Sequence, residues 1–356
     1  MNLTNSIVEN ISIEVIKTLV TRFGNFSEDG LNNRNAPFHE AFLKAFSEKL
    51  NGKVSDTPFL ISLSSWLQGL NTTLGQTFFE NVAHHISGGE KREYTSRKLG
   101  NLQMLSVQKN IILSIMTELS NSELKPNVLD ENNKIFNVTG DKLVNSIDFS
   151  ADIFFEDEDI ITGIKLKSVK PNSGEMRDEK QKILEAKAAL GRKFPGKKIR
   201  FFISFPFDPT LDPRVDKVTS YNKKRFLASI INMHKYFDEN ETLVASEFWD
   251  HISGHVNTME EVLEIINDIS TTEFLERYRY LNDNQNRGKS QYIKMLREWN
   301  LFSEIELVEN DLKIKKEITN NKSLMRAYNK TIFDTKGNYN YDRYYQLREL
   351  FSPPNS

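Results

Sequence analysis

The 356-residue chain contains no cysteine. Disulfide cross-links, cysteine-ligated zinc and thiol nucleophiles are thereby excluded. Such a composition suits a reducing compartment, and a cytoplasmic location is expected. Long apolar runs are also missing. The apolar patch over 59–67 is short and broken by serines, so no membrane-spanning helix is expected. The opening Met-Asn-Leu-Thr-Asn-Ser lacks a basic region followed by an apolar stretch, and no secretory leader is expected from it. Neither a Walker loop nor a Rossmann glycine pattern nor a nucleophile elbow is present, which leaves nucleotide hydrolysis and serine esterase chemistry without support. Net charge is almost absent as well, at −2.

What is present points to a folded chain. Hydrophobic residues make up 38% and include 24 Phe, 11 Tyr and 3 Trp, enough to fill one large core or two ordinary ones. The small net charge conceals an uneven distribution. Residues 161–225 carry 17 Lys and Arg against 7 Asp and Glu, a local +10 that leaves −12 for the rest. A basic segment in a mildly acidic chain suits a phosphate-bearing ligand. A solvated, charge-laced helix accounts for part of the excess.

Apolar residues at helical spacing predict helices over 12–23, 38–50, 72–83 and 102–119, the third stopped by Gly88-Gly89. Near Asn132 the character changes. The stretches 134–138, 146–155 and 160–169 are short, β-branched or aromatic, and separated by turn residues. A helix over 176–192 and a doubly buried strand over 199–205 follow. Beyond 225 the chain reads as helical, over 226–237, 259–267, 272–280 and 291–299, and the tail from Asn329 reads as loosely held. The expected class is α/β, with a mixed central sheet and flanking helices. The expected divisions are a helical N-terminal region over 1–130, an α/β core over 131–250 and a mostly helical C-terminal region over 251–356.

Within that core, Asp152 stands in one apolar strand, and Lys165 and Lys167 stand in the next, across a hairpin tipped by Glu156-Asp-Glu-Asp. Side chains at i and i+2 share a strand face. The face with Ile160, Thr162, Ile164 and Leu166 is apolar, whereas the other bears both lysines, with Gly163 leaving room for a close approach. An aspartate can hold Mg²⁺ together with waters, and a neighbouring lysine can orient an attacking water and stabilise developing charge. Asp152 is the candidate metal ligand, Lys167 the candidate catalytic lysine and Asp148 an alternative ligand. Isolated Asp and Lys residues also occur on ordinary strands, so order and context must carry the reading.

The pattern resembles the Asp and Glu-x-Lys arrangement of PD-(D/E)XK nucleases. The tract Leu166-Lys-Ser-Val-Lys-Pro-Asn-Ser-Gly-Glu-Met resembles a segment of TdeIII-like type II restriction endonucleases, as do Leu74-Gly-Gln-Thr-Phe-Phe-Glu80 and Glu247-Phe-Trp-Asp-His-Ile-Ser-Gly. The resemblance covers roughly residues 70–255. It implies a restriction-endonuclease-like αβββαβ core with helical N- and C-terminal regions. The implied activity is Mg²⁺-dependent cleavage of both strands of double-stranded DNA by a homodimer, at a short near-palindromic site of the GGNCC kind. A cognate DNA methyltransferase is expected in the same system, not as a binding partner.

Carried over residue by residue, the resemblance makes Asp152, Lys165 and Lys167 the candidate catalytic group, with Asp152 and Glu80 as metal ligands. Lys165 stands where these enzymes have glutamate. Such a charge reversal implies a disarmed copy, a carboxylate brought in from Glu80, Glu175 or Glu179, or a shifted register. The first is the favoured expectation. A non-catalytic DNA-binding protein with a nuclease-like fold is the alternative function. Lys170, Asn172 and Arg177 follow the cluster as candidate phosphate contacts, with a capped turn as the competing reading. Arg214, Lys217, Lys223, Lys224 and Arg225, past the last core strand, are candidates for DNA contact. His251 and His255 have the spacing of helical zinc ligands but lack a third partner, which favours a structural role.

Overall fold

The computed structural model describes residues 2–23, 73–167, 173–212, 214–230 and 232–352. The helix expected over 38–50, the apolar patch over 59–67, and Lys170 and Asn172 lie outside the described residues. The chain forms two compact units, Phe79–Glu260 and Met1–Phe78 with Glu261–Ser356. No helix among the described residues is long and apolar enough to cross a membrane.

Helix α1 (Asn5–Phe23) opens the discontinuous unit. Its Val8, Ile11, Val15 and Leu19 recur every three or four residues and are buried, forming the stripe that an amphipathic helix turns to a core. Glu9 on the same helix accepts from the Ser303 amide and hydroxyl, both at 2.8 Å. The C-terminal segment is not loosely held. Residues 332–347 contribute buried Ile332, Phe333, Tyr339 and Leu347. The Glu304 carboxylate, itself buried, accepts from Tyr339 at 2.8 Å and from the Arg343 guanidinium at 2.5 Å. The polar composition of this tail hid an internal ion pair.

The continuous unit carries helices α2 (Phe79–Ser87), α3 (Ser106–Ser120), α4 (Val128–Phe136), α5 (Ser173–Lys193), α6 (Lys223–Ser229), α7 (Met233–Tyr236) and α8 (Ser246–Ser253). Its strands are β1 (Glu90–Tyr94), β2 (Gln103–Leu105), β3 (Leu143–Asn145), β4 (Phe149–Glu156), β5 (Ile160–Leu166), β6 (Lys198–Phe205) and β7 (Thr242–Val244). Five of them form one sheet in the order β1-β4-β5-β6-β7, while β2 and β3 form a separate ribbon. The β1–β4 and β4–β5 pairs are antiparallel, and β5–β6 and β6–β7 are parallel. This is the expected mixed α/β sheet with flanking helices. The β4–β5 hairpin closes where the Asp157 amide donates to the Ile160 carbonyl at 2.9 Å. Between the parallel strands, α5 makes the crossover that such pairing needs. Central β6 is apolar on both sides because both of its faces are covered.

Several expectations for this unit change. The helix expected over 102–119 starts at Ser106, after β2. That over 226–237 is the two short helices α6 and α7. Residues 134–138 are not a strand. Asn127 caps α4, its side chain accepting from the Leu129 and Asp130 amides, and Ile135 buries at the helix end. The third antiparallel strand of the core is instead β1, Glu-Lys-Arg-Glu-Tyr, which shows no apolar alternation. The lysine-bearing face of β5 is also not open. Ile161 and Gly163 on it are buried, because α5 covers that side through Ile183 near Phe201. The opposite face is covered by α8, whose His251 ring meets Phe202 edge-on at 4.8 Å, with α2 packed beside it.

Candidate active site

The β4–β5 register sets Ile153 opposite Ile164, so Asp152 and Lys165 meet at the next step along the hairpin. Lys165 Nζ donates to Asp152 Oδ1 at 2.9 Å and to Ser150 Oγ at 3.1 Å. Asp152 Oδ2 accepts the Leu166 amide at 2.9 Å. Only 5% of Asp152 is exposed, so its charge is compensated by protein groups instead of bulk water. Lys167, two residues further along, points to the start of α5 and donates to Glu175 at 2.5 Å and Glu179 at 3.1 Å. Burial alone would lower the Lys167 pKa. The two carboxylates outweigh it and raise the value, which fixes the charged form.

Glu80 stands in the first turn of α2 and reaches the cluster through a residue that the sequence did not single out. Lys91 Nζ lies 3.1 Å and 3.2 Å from the two Glu80 oxygens and 3.7 Å from Asp152 Oδ1. Burial opposes its charge, but the Glu80 hydrogen bond and the Glu80 and Asp152 charges raise its pKa. His84, one turn along α2, is also at the cluster, with Nε2 2.7 Å from the Asp152 carbonyl. A charged strand without an apolar pattern gave no sign that Lys91 would face the aspartate. For His84, the helical spacing from Glu80 was the available signal.

A cavity of about 160 Å³ lies beside the cluster, lined by Ser150, Lys165, Glu179, Lys182 and Phe201. The room at Gly163 is not for a ligand. A Cβ there would lie 2.7 Å from the Phe201 ring, so the glycine admits that ring against the strand. Asp148 lines the same cavity, and its Oδ1 accepts from Asn101 at 2.5 Å.

The described candidates for DNA contact are not equally available. Arg177, Lys217 and Lys224 are exposed. Arg214 is exposed and ion-paired with Asp212 at 2.8 Å. Arg225 bonds Thr210 at 3.0 Å and lies 3.5 Å from Asp216. Lys223 is engaged internally, donating to Glu247 at 2.7 Å and the Glu239 carbonyl at 2.8 Å.

Among the described residues no group of three or more His, Asp or Glu side chains is disposed around a metal position. Two carboxylates, Asp152 and Glu80, nevertheless converge on one cation, the Lys91 ammonium. Mg²⁺ needs only one or two protein carboxylates and retains waters, so this pair fits a hard divalent ion once Lys91 withdraws. Lys165 works against the fit, because it holds Asp152 Oδ1.

The five-stranded mixed sheet with its flanking helices is consistent with a restriction-endonuclease-like core. Residues 3–270 match the family model described as type II restriction endonuclease, HinfI. The chain belongs to this family of type II restriction endonucleases, which are site-specific deoxyribonucleases. It is similar to the type II restriction enzyme MjaII of Methanocaldococcus jannaschii, with 40% identity over 373 aligned positions that cover 99% of each chain. No solved structure matches it. Type II restriction enzymes generally use divalent metal ions.

Proposed function

We propose that this chain is a PD-(D/E)XK-type enzyme built for Mg²⁺-dependent hydrolysis of both DNA strands at a short near-palindromic site. In this reading it acts as a homodimer in the cytoplasm, and Lys165 holds it in an impaired state. The observation that carries the reading is the cluster in which Asp152 meets Lys165 across the hairpin while Lys167 stands two residues away. The likeness of the Lys-Pro-Asn tract to TdeIII-like enzymes supports a GC-rich site with a degenerate centre, of the GGNCC kind.

Asp152 and Glu80 would hold the metal. When bound, it lowers the pKa of a coordinated water and neutralises charge on the phosphoryl oxygens. Lys167, fixed in its charged form by Glu175 and Glu179, orients the attacking water and stabilises the negative charge that develops on the phosphate. His84 positions the strand through the Asp152 carbonyl. Lys165 neutralises Asp152 and repels a second cation, which lowers metal affinity without emptying the rest of the site.

Selection from a pool of randomised duplexes by the full-length chain tests site specificity without requiring cleavage. Enrichment of one short motif with two-fold symmetry is expected, because the symmetry of a dimer is mirrored in its site. Retention of DNA with no enriched motif would instead favour a non-catalytic DNA-binding protein with a nuclease-like fold, for which the Lys165–Asp152 ion pair is the supporting observation.

A further inference from the structure

The edge strand β1, the turn after it and the end of α5 form a second basic surface, which shares only Lys193 with the positive segment 161–225. A groove of about 760 Å³ runs along β1 and is lined by Lys91, Arg92, Arg97, Lys98 and Lys193, with only Glu90 and Glu93 as acids. The five cations come from three places: the strand, the turn at 95–100, and the C-terminal end of α5. The turn is closed by the Lys98 and Gly100 amides, which donate to the Thr95 carbonyl at 3.1 Å and 3.0 Å. Gly100 supplies the positive φ of +82° that this turn requires.

Lysines on an edge strand commonly serve to block edge-to-edge pairing. That purpose accounts for Lys91 and Arg92. It does not account for cations that reach the same groove from a turn and from a helix end. Arg97 is exposed and has no ion-pair partner among the described residues. Lys98 is 65% exposed and only 3.8 Å from Glu93, a surface pairing of little strength. Lys193 is held over the Tyr94 ring at 4.8 Å, which positions an ammonium without spending its charge on a carboxylate. At the groove's inner end, Lys91 touches both Glu80 and Asp152. The groove therefore leads to the cluster and carries the charge that a phosphodiester backbone requires.

Resting on the nuclease reading above, we infer that this groove seats the phosphate backbone of the DNA duplex beside the cluster. Arg97, Lys98 and Lys193 are its phosphate contacts, and Lys91 is the residue at which the strand meets Asp152. The arrangement is unspecific by nature, since phosphate contacts fix position and register while base edges carry sequence.

The test is the salt dependence of binding of a short mixed-sequence duplex to the full chain in the absence of divalent metal, over about 50–200 mM salt. Each phosphate contact contributes about 0.9 to the slope of log K against log salt. The variant Arg97→Gln, Lys98→Gln, Lys193→Gln changes only exposed side chains. Its slope should be shallower than that of the parent by about 2 to 3. A variant with Lys313→Gln, Lys316→Gln and Lys322→Gln loses the same charge elsewhere and should keep the parent slope. If the parent binds with a steep slope and the groove variant keeps that slope, the groove is not the phosphate track, and the nuclease reading stands without it. If the parent shows no salt-dependent binding at all, the nuclease reading falls and takes the groove with it.

Discussion

Both oxygens of Asp152 are engaged, Oδ1 by the Lys165 ammonium and Oδ2 by the Leu166 amide. A carboxylate in this state is satisfied, so a metal must displace a cation to reach it. Lys167 is in a different position, because its two carboxylate partners lie on α5 and keep it charged. Its pKa is raised in the folded protein. The stabilisation from this shift is therefore complete below the unfolded lysine pKa of about 10.4 and is lost as pH rises through the higher folded value. Urea unfolding of the parent and of Lys167→Met should show a stability difference that is flat between about pH 6 and 9 and shrinks above about pH 10. A difference that already shrinks below about pH 9 would mean that Lys167 is not held charged in the fold. The facing of Asp152 and Lys165 was legible in the sequence, because strand alternation and a hairpin tip fix which residues meet. Lys91 was not, since nothing in Glu-Lys-Arg-Glu-Tyr marks a strand, and the contact depends on a pairing that crosses more than 50 residues of intervening chain.

Helix α5 does more than cover the sheet. From the sequence it reads as a solvated helix of good formers, yet Lys180, Glu185 and Lys187 on it are buried. Lys180 donates to Glu131 of α4 at 2.6 Å and also bonds Glu241, just before β7. Lys187 Nζ lies 3.6 Å from Glu241, and burial lowers its pKa. Glu241 is held below its ordinary value despite burial, because both lysines face it. Four buried ionisable groups thus join α4, α5 and the start of β7. Helix α4 and the start of β7 anchor α5, the helix whose Glu175 and Glu179 hold Lys167. Removing one partner leaves the others buried and uncompensated, which costs about 3–5 kcal/mol. Lys180→Ala should lower unfolding stability by about that amount, measured by urea titration. A loss of under about 1 kcal/mol would show that the cluster is hydrated and not structural. Charge periodicity could not reveal this network, since its partners lie 49 and 61 residues away in sequence. By contrast β6 was legible, because a continuous apolar run has no stable place outside a doubly covered strand. The Ile-Phe pair of α4 misled for the opposite reason. Its β-branched and aromatic character is local, whereas the Asn127 cap that decides the helix lies eight residues earlier.

At the scale of the whole molecule, family membership rests on residues 3–270, and the similarity to MjaII extends over 99% of both chains. The helical region after residue 270 therefore belongs to the enzyme type as well and is not an unrelated addition. In the proposed reading the chain is a nuclease whose scaffold is intact and in which Lys165, ion-paired to Asp152, obstructs the metal site. The direct measurement is digestion of unmethylated phage DNA by the parent and by Lys165→Glu, each with and without Mg²⁺. Discrete fragments are expected from the glutamate form with Mg²⁺, and little or no cleavage from the parent. Equal cleavage by both would show that Lys165 does not obstruct the site. No cleavage by either, from folded protein, would contradict the assignment of Asp152, Lys165 and Lys167 as a nuclease centre.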